Sequence, residues 1–279
     1  MNAILYGIFS ALTWGAADFA GGLASRRTSP YKVVALGWII GLLTLPVIAL
    51  LTNEPMISLR SALWCLAAGG FGAFGILIFY YSLSIGRMSL AAPISAVLAA
   101  AIPVLIGVFL DGMPGLQILL AFIFALVSVL LVSNQEKLSA GLHITFSEIK
   151  IPMVAGITFG LYFVLMHQGS QEGLFWPMTA SHVSGVILLL LAMIIQKQSL
   201  IPARSDLFLI LSCFVLDQTG TLFYILAGQA GRMDVAAVLA SLYPGITILM
   251  AWGFLKEHIS KPQLAGIGLA LIAIVLFSV

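Results

Sequence analysis

Apolar runs of about twenty residues alternate with brief polar interruptions along the whole chain. They fall near 2–24, 31–52, 60–85, 88–110, 115–133, 149–170, 174–196, 205–230, 233–255 and 261–279. A helix rises about 1.5 Å per residue, so a run of this length matches a hydrocarbon core of about 30 Å. The pattern predicts an all-α, polytopic membrane protein with ten transmembrane helices. The first run holds Asp18 and has no basic segment ahead of it. It reads as a retained span, not a cleaved leader.

The longest polar interval, Asn134 to Lys150, falls near the middle of the chain. It predicts a linker over 135–148 between two five-span units, 1–134 and 149–279. Gly86-Arg87-Met88 returns 145 residues later as Gly231-Arg232-Met233. At the same offset Thr13 and Gly15 match Thr158 and Gly160, Ala91-Ala92 matches Ala236-Ala237, and Phe109-Leu110 matches Phe254-Leu255. One order kept at one offset indicates a duplicated unit. With five spans per unit, the second copy enters the membrane upside down, an arrangement that recurs in transporters. On this reading Gly86 and Gly231 allow tight turns after the third and eighth spans, and Arg87 and Arg232 anchor those corners at opposite interfaces.

Composition removes several function classes. With 61% hydrophobic and 8% charged residues, no soluble fold could hide the apolar surface. The net charge of +2 is spread over loops, which leaves no basic patch for nucleic acid. Cys65 and Cys213 both fall inside predicted spans, and none of the four histidines has metal-ligand spacing to another His or Cys. Neither a disulfide framework, a metal nor a cofactor is expected. Acidic residues are scattered, so an enzyme is not expected. There is no Gly-rich Lys-Ser/Thr loop of the nucleotide-binding kind, so ATP is not the direct energy source.

Intramembrane polar residues are the candidate chemistry, because a centrally placed Asp costs about 2.5–3.5 kcal/mol to insert. Asp18 lies one turn from Trp14, while Asp217, Thr221 and Tyr224 share a helix face at i, i+4 and i+7. Either carboxylate could accept a proton or balance a substrate amine, with Trp and Tyr adding cation–π surface. The alternative reading of each is a protonated or hydrogen-bonded Asp holding two helices together. His182, in the seventh run, reads as a proton relay or as a packing residue with a satisfied ring. Tyr80, Tyr162 and Tyr243 complete the candidate set. Trp38, Trp64 and Trp176 read as packing or interface residues.

Leu12-Thr13-Trp14-Gly15, Leu242-Tyr243-Pro244, Phe254-Leu255-Lys256-Glu257 and Gln263-Leu264-Ala265-Gly266, with the two Gly-Arg-Met corners, resemble the EamA-type drug/metabolite transporters over essentially the whole chain. The resemblance implies two inverted five-helix units around a central cavity formed mainly by spans one, three, four, six, eight and nine. It also implies export of amino acids or other small metabolites. Two departures stand out: Gly112 occupies the first-half position of Glu257, and Ala99 that of Pro244, with Pro103 one turn on. The fourth and ninth helices should therefore bend at different depths.

Loops after odd-numbered spans hold ten basic residues, among them Arg26, Arg27, Arg87, Lys137 and Lys256, against Arg60 and Arg232 opposite. The positive-inside rule places those loops in the cytoplasm and both termini outside; the resemblance implies cytoplasmic termini. The function expected is a plasma-membrane secondary transporter, of the prokaryotic inner-membrane kind. It would export a small amino-acid-like or amphipathic solute by alternating access, exchanging it for protons through Asp217 or Asp18. The alternative is an uncoupled facilitator of metabolites or toxic cations.

Overall fold

A computed structural model describes residues 2–84, 88–132, 146–256 and 258–278. Over these residues the helices are α1 (Asn2–Arg27), α2 (Pro30–Leu51), α3 (Leu59–Ser84), α4 (Met88–Asp111), α5 (Leu116–Val132), α6 (Phe146–Gly169), α7 (Phe175–Ile195), α8 (Leu207–Ala230), α9 (Met233–Ala240), α10 (Tyr243–Leu255) and α11 (Lys261–Ser278). No strand occurs among the described residues. Among the described residues, seven stretches are long and apolar enough to cross a bilayer: α1, α2, α3, α6, α7, α8, and α9 with α10 together. Among the same residues the other three expected spans contribute the apolar stretches Ile94–Phe109 within α4, Leu116–Leu131 within α5 and Lys261–Phe277 within α11. Leu43, Leu50, Phe109, Val215 and Leu271 lie exposed, an arrangement suited to lipid and not to water.

The ninth expected span is not one helix. Its first piece ends at Ala240 and its second begins at Tyr243, with Pro244 in the first turn. A proline ring collides with the carbonyl four residues earlier and lacks an N–H, so an uninterrupted helix would set Pro244 against Ala240. Local bonds satisfy the break. Ser241 donates through both its N–H and its hydroxyl to the Ala237 carbonyl, at 2.9 and 2.7 Å, and the Leu242 N–H reaches the Leu239 carbonyl at 3.1 Å. Helix α4 contains Pro103 yet runs unbroken to Asp111. The difference between the two helices is thus a break against continuity, not two bends.

Helix pairing is symmetric under exchange of the chain's halves. Helix α1 packs along α8 as α6 packs along α3; α1 meets α9 and α10 as α6 meets α4; α2 pairs with α7 and α5 with α11. Matched residues also repeat their local roles. The Thr13 hydroxyl donates to the carbonyls of Phe9 and Ser10, and the Thr158 hydroxyl to those of Val154 and Ala155. A Cβ on Gly15 would stand 2.5 Å from Ile246 Cβ in α10, and one on Gly160 2.7 Å from Ile102 Cβ in α4. Both glycines let a helix axis come close where a methyl group would push it away.

Gly231 and Arg232 have contacts that the sequence did not indicate. Gly231 is extended, at φ −170°, a conformation open to any residue. Its glycine is demanded instead by closeness to α1, where an added Cβ would lie 2.8 Å from Ala3 Cβ. Arg232 does not simply reach for an interface. Its Nε and Nη2 donate to the two carboxylate oxygens of Asp234 at 3.1 and 2.8 Å, and Nη2 also donates to the Gly112 carbonyl at 3.2 Å. Gly86 and Arg87 lie outside the described residues.

Candidate functional site

The two polar stripes read from sequence lie on partner helices, α1 and α8, which are drawn together by small residues and backbone bonds. The Ser10 hydroxyl donates to the Gly220 carbonyl at 2.9 Å, and the Trp14 indole N–H donates to the Asp217 backbone carbonyl at 3.2 Å. Gly220 lies directly beneath the indole, where a Cβ would come 2.7 Å from Nε1. Trp14 stacks on Phe163 at 5.4 Å and on Tyr224 at 5.8 Å between ring centroids. A rigid aromatic block therefore holds α1, α6 and α8 in register at mid-span.

Beside this block is a cavity with about 80 Å³ of free space, enough for several waters or part of a small solute. Asp18, Asp217 and Thr221 line it with Trp14, Tyr162 and Tyr243, and His182 closes one wall. Both carboxylates are half-buried and lie within electrostatic range of each other. Gln218 donates to Asp217 Oδ2 at 3.1 Å. His182 Nδ1 lies 2.8 Å from the Met178 carbonyl. A carbonyl only accepts, so Nδ1 carries the ring proton and Nε2 is an acceptor. That Nε2 is buried with no hydrogen-bond partner among the described residues, packed where Gly41 of α2 lacks a Cβ.

Tyr80 and Tyr224 stand outside this lining. Tyr224 donates its hydroxyl to the Phe163 carbonyl at 2.7 Å, fully buried. The Tyr80 hydroxyl meets Cys213 Sγ at 3.4 Å in a smaller side chamber that Asp217 also borders. Trp38, expected as a packing or interface residue, does pack, against Gly185 and the α2–α3 core, and it also lines the main cavity and stacks on His182 at 4.7 Å. Phe159 and Phe163 of α6 also line the cavity, and neither carries a polar signal by which sequence could have found it.

A second polar system closes one end of the bundle. Glu54, after α2, accepts the N–H groups of Leu174, Phe175 and Trp176 at 2.9–3.1 Å, capping α7 from another part of the chain. Its backbone carbonyl accepts the Trp176 indole N–H at 3.0 Å. Glu172, before α7, accepts the N–H and hydroxyl of Ser58 at 2.6 and 2.8 Å. These bonds, with the Ser61 hydroxyl, hold its carboxyl below the usual range. Gln229 at the end of α8 donates to the carbonyls of Ser170 and Gly173. With the Arg232–Asp234 pair reaching Gly112, this clasp joins the α2–α3, α4–α5, α6–α7 and α8–α9 connections. At the opposite end, Lys32 Nζ donates to the Ile201 carbonyl at 3.1 Å. Three or more His, Cys, Asp or Glu side chains do not gather anywhere among the described residues.

The sequence model of the EamA-like transporter family matches residues 1–134 and, a second time, 147–279. An uncharacterized protein of Methanocaldococcus jannaschii is 32% identical over 98 residues, which is 35% of this chain and 72% of that protein. A solved crystal structure superposes with a TM-score of 0.80 at 14% identity, over 99% of this chain and 96% of the other. That likeness concerns the fold alone.

Proposed function

Because the chain belongs to the EamA-like transporter family, we propose that this multi-pass membrane protein is a secondary transporter of the plasma membrane, exporting a small amino-acid-like or amphipathic metabolite. Its ten spans form two inverted five-helix repeats, and the cavity between them opens alternately to each side. The observation that carries this reading is the cavity itself: two half-buried carboxylates set at mid-span among aromatic walls, on helices from both halves.

Asp217 and Asp18 exchange the solute for protons, since a carboxylate in such a setting is worth its insertion cost when it binds something. Trp14, Tyr162, Thr221 and Tyr243 contact the solute, and the His182 ring forms part of the wall beside them. Tyr80 and Tyr224 support the walls. The medium around cells producing the protein should accumulate a small set of compounds that is absent with Asp217→Asn at equal membrane abundance. Equal accumulation in both would remove Asp217 from the mechanism, and no accumulation in either would overturn export. An uncoupled facilitator is the second reading; solute movement in proteoliposomes without any movement of protons would select it.

A further inference from the structure

The cavity offers charge to a cation and none to an anion. Asp18 and Asp217 both line it, and no Lys or Arg does so among the described residues. Two described basic side chains with printed partners, Lys32 and Arg232, are bonded at the ends of the bundle. The break before α10 does not take their place. A helix start can hold a carboxylate through free N–H groups, but Pro244 has none and the Gly245 N–H is bonded to the Leu242 carbonyl at 3.0 Å. The Trp14 indole N–H is likewise taken by the Asp217 carbonyl at 3.2 Å, and the Ser181 hydroxyl by the Met178 carbonyl at 2.8 Å. The Tyr162, Thr221 and Tyr243 hydroxyls that line it carry no charge.

The walls suit a cation with an apolar body. Trp14, Trp38, Phe79, Phe159, Tyr162 and Phe163 surround the carboxylates, and aromatic faces attract ammonium groups most strongly where water is excluded. An amino-acid zwitterion would bring a third carboxylate into a space that already holds two, where like charges a few ångströms apart repel strongly.

We propose that the transported solute is an amphipathic monocation: a primary amine or quaternary ammonium on a ring-bearing apolar body, with no carboxylate of its own. This rests on the transporter reading above and narrows it. One carboxylate balances the ammonium group and the other is left to hold a proton. The aromatic block takes the ring.

Three probes that share one phenyl ring and differ only in charge test the assignment: 2-phenylethylamine, phenylalanine and 3-phenylpropionate. Each is titrated calorimetrically into the full chain in lipid nanodiscs, and its labelled form is followed in counterflow with proteoliposomes. The amine should bind about tenfold tighter than phenylalanine or better, and the acid should not bind, because the ring contact is common and only the charged partners differ. Asp18→Asn and Asp217→Asn should each weaken amine binding about tenfold in protein that still melts cooperatively. The proposal is overturned if phenylalanine or phenylpropionate binds as well as the amine, if no probe binds, or if both variants keep full amine affinity. Selective amine binding without counterflow would support the site while removing the transporter reading, so the two failures are distinguishable.

Discussion

The two ends of the bundle are built alike in helices and differently in bonds. At the clasped end Glu54, Glu172, Gln229 and the Arg232–Asp234 pair fasten four connections to one another. At the opposite end Lys32 reaches a backbone carbonyl between connections. The repeat locates the difference in particular residues. At the offset of 145, Glu54 corresponds to Ser199, Glu172 to Arg27 and Asp234 to Ser89. The halves share a scaffold, and the fastening belongs to residues they do not share. If access alternates as proposed, reversing it would test whether those carboxylate bonds are released.

Removing the carboxylate that caps α7 should have the largest effect on this contrast. Glu54→Ala leaves three N–H groups without their acceptor, at about 1.5–3 kcal/mol for a hydrogen bond to a charged group. The variant should melt several degrees lower, and a cysteine placed at Gln171 should be labelled faster; unchanged labelling would dissolve the clasp as a structural unit. Next come Gly15→Ala and Gly160→Ala, which force a methyl group against Ile246 and Ile102 respectively, at about 1–3 kcal/mol each for overpacking. The two losses should be similar, and a wide disparity in melting would break the equivalence of the halves.

Acid should loosen one end selectively. The Glu172 carboxyl lies below its ordinary range because Ser58 and Ser61 donate to it. Its contribution is therefore complete above the ordinary glutamate pKa and is lost as pH falls through the lowered value. Labelling at Gln171 should rise only below about pH 4, and Glu172→Gln should remove that step; a rise near neutrality would contradict the assignment. The smallest effect belongs to Lys32→Met, expected within about 0.5 kcal/mol of the parent in a melting curve.

Periodicity and hydropathy made the helices and the duplication legible, because lipid demands long apolar runs and the two copies keep matching residues at one offset. The Asp18 and Asp217 stripes were legible for the same reason, since charge inside such a run is conspicuous. Coverage was not. The i, i+4, i+7 spacing sets Tyr224 on the face of Asp217, yet Phe163 and Trp14 cover that end of the stripe. Trp38 was legible as packing but not as cavity wall, because nothing in α2 announces that His182, far along the chain, lies across from it. Glu54 caps a helix about 120 residues away, and a local reading of caps looks only to adjacent residues. Gly231 was recognised as necessary for the wrong reason, since only the assembled bundle brings Ala3 against it.

The break between α9 and α10 also has a mechanical meaning. Helix α10 has 13 residues, a rod of about 20 Å, and its first turn is joined to α9 by bonds that do not run through a continuous helical ladder. A tilt of about 10° at that joint would move the far tip by about 3 Å over such a length, roughly the width of a water molecule. Helix α4, being continuous, would have to tilt as a whole to match it. The second half thus contains a lever that the first half lacks, with its fulcrum at Tyr243, which lines the cavity.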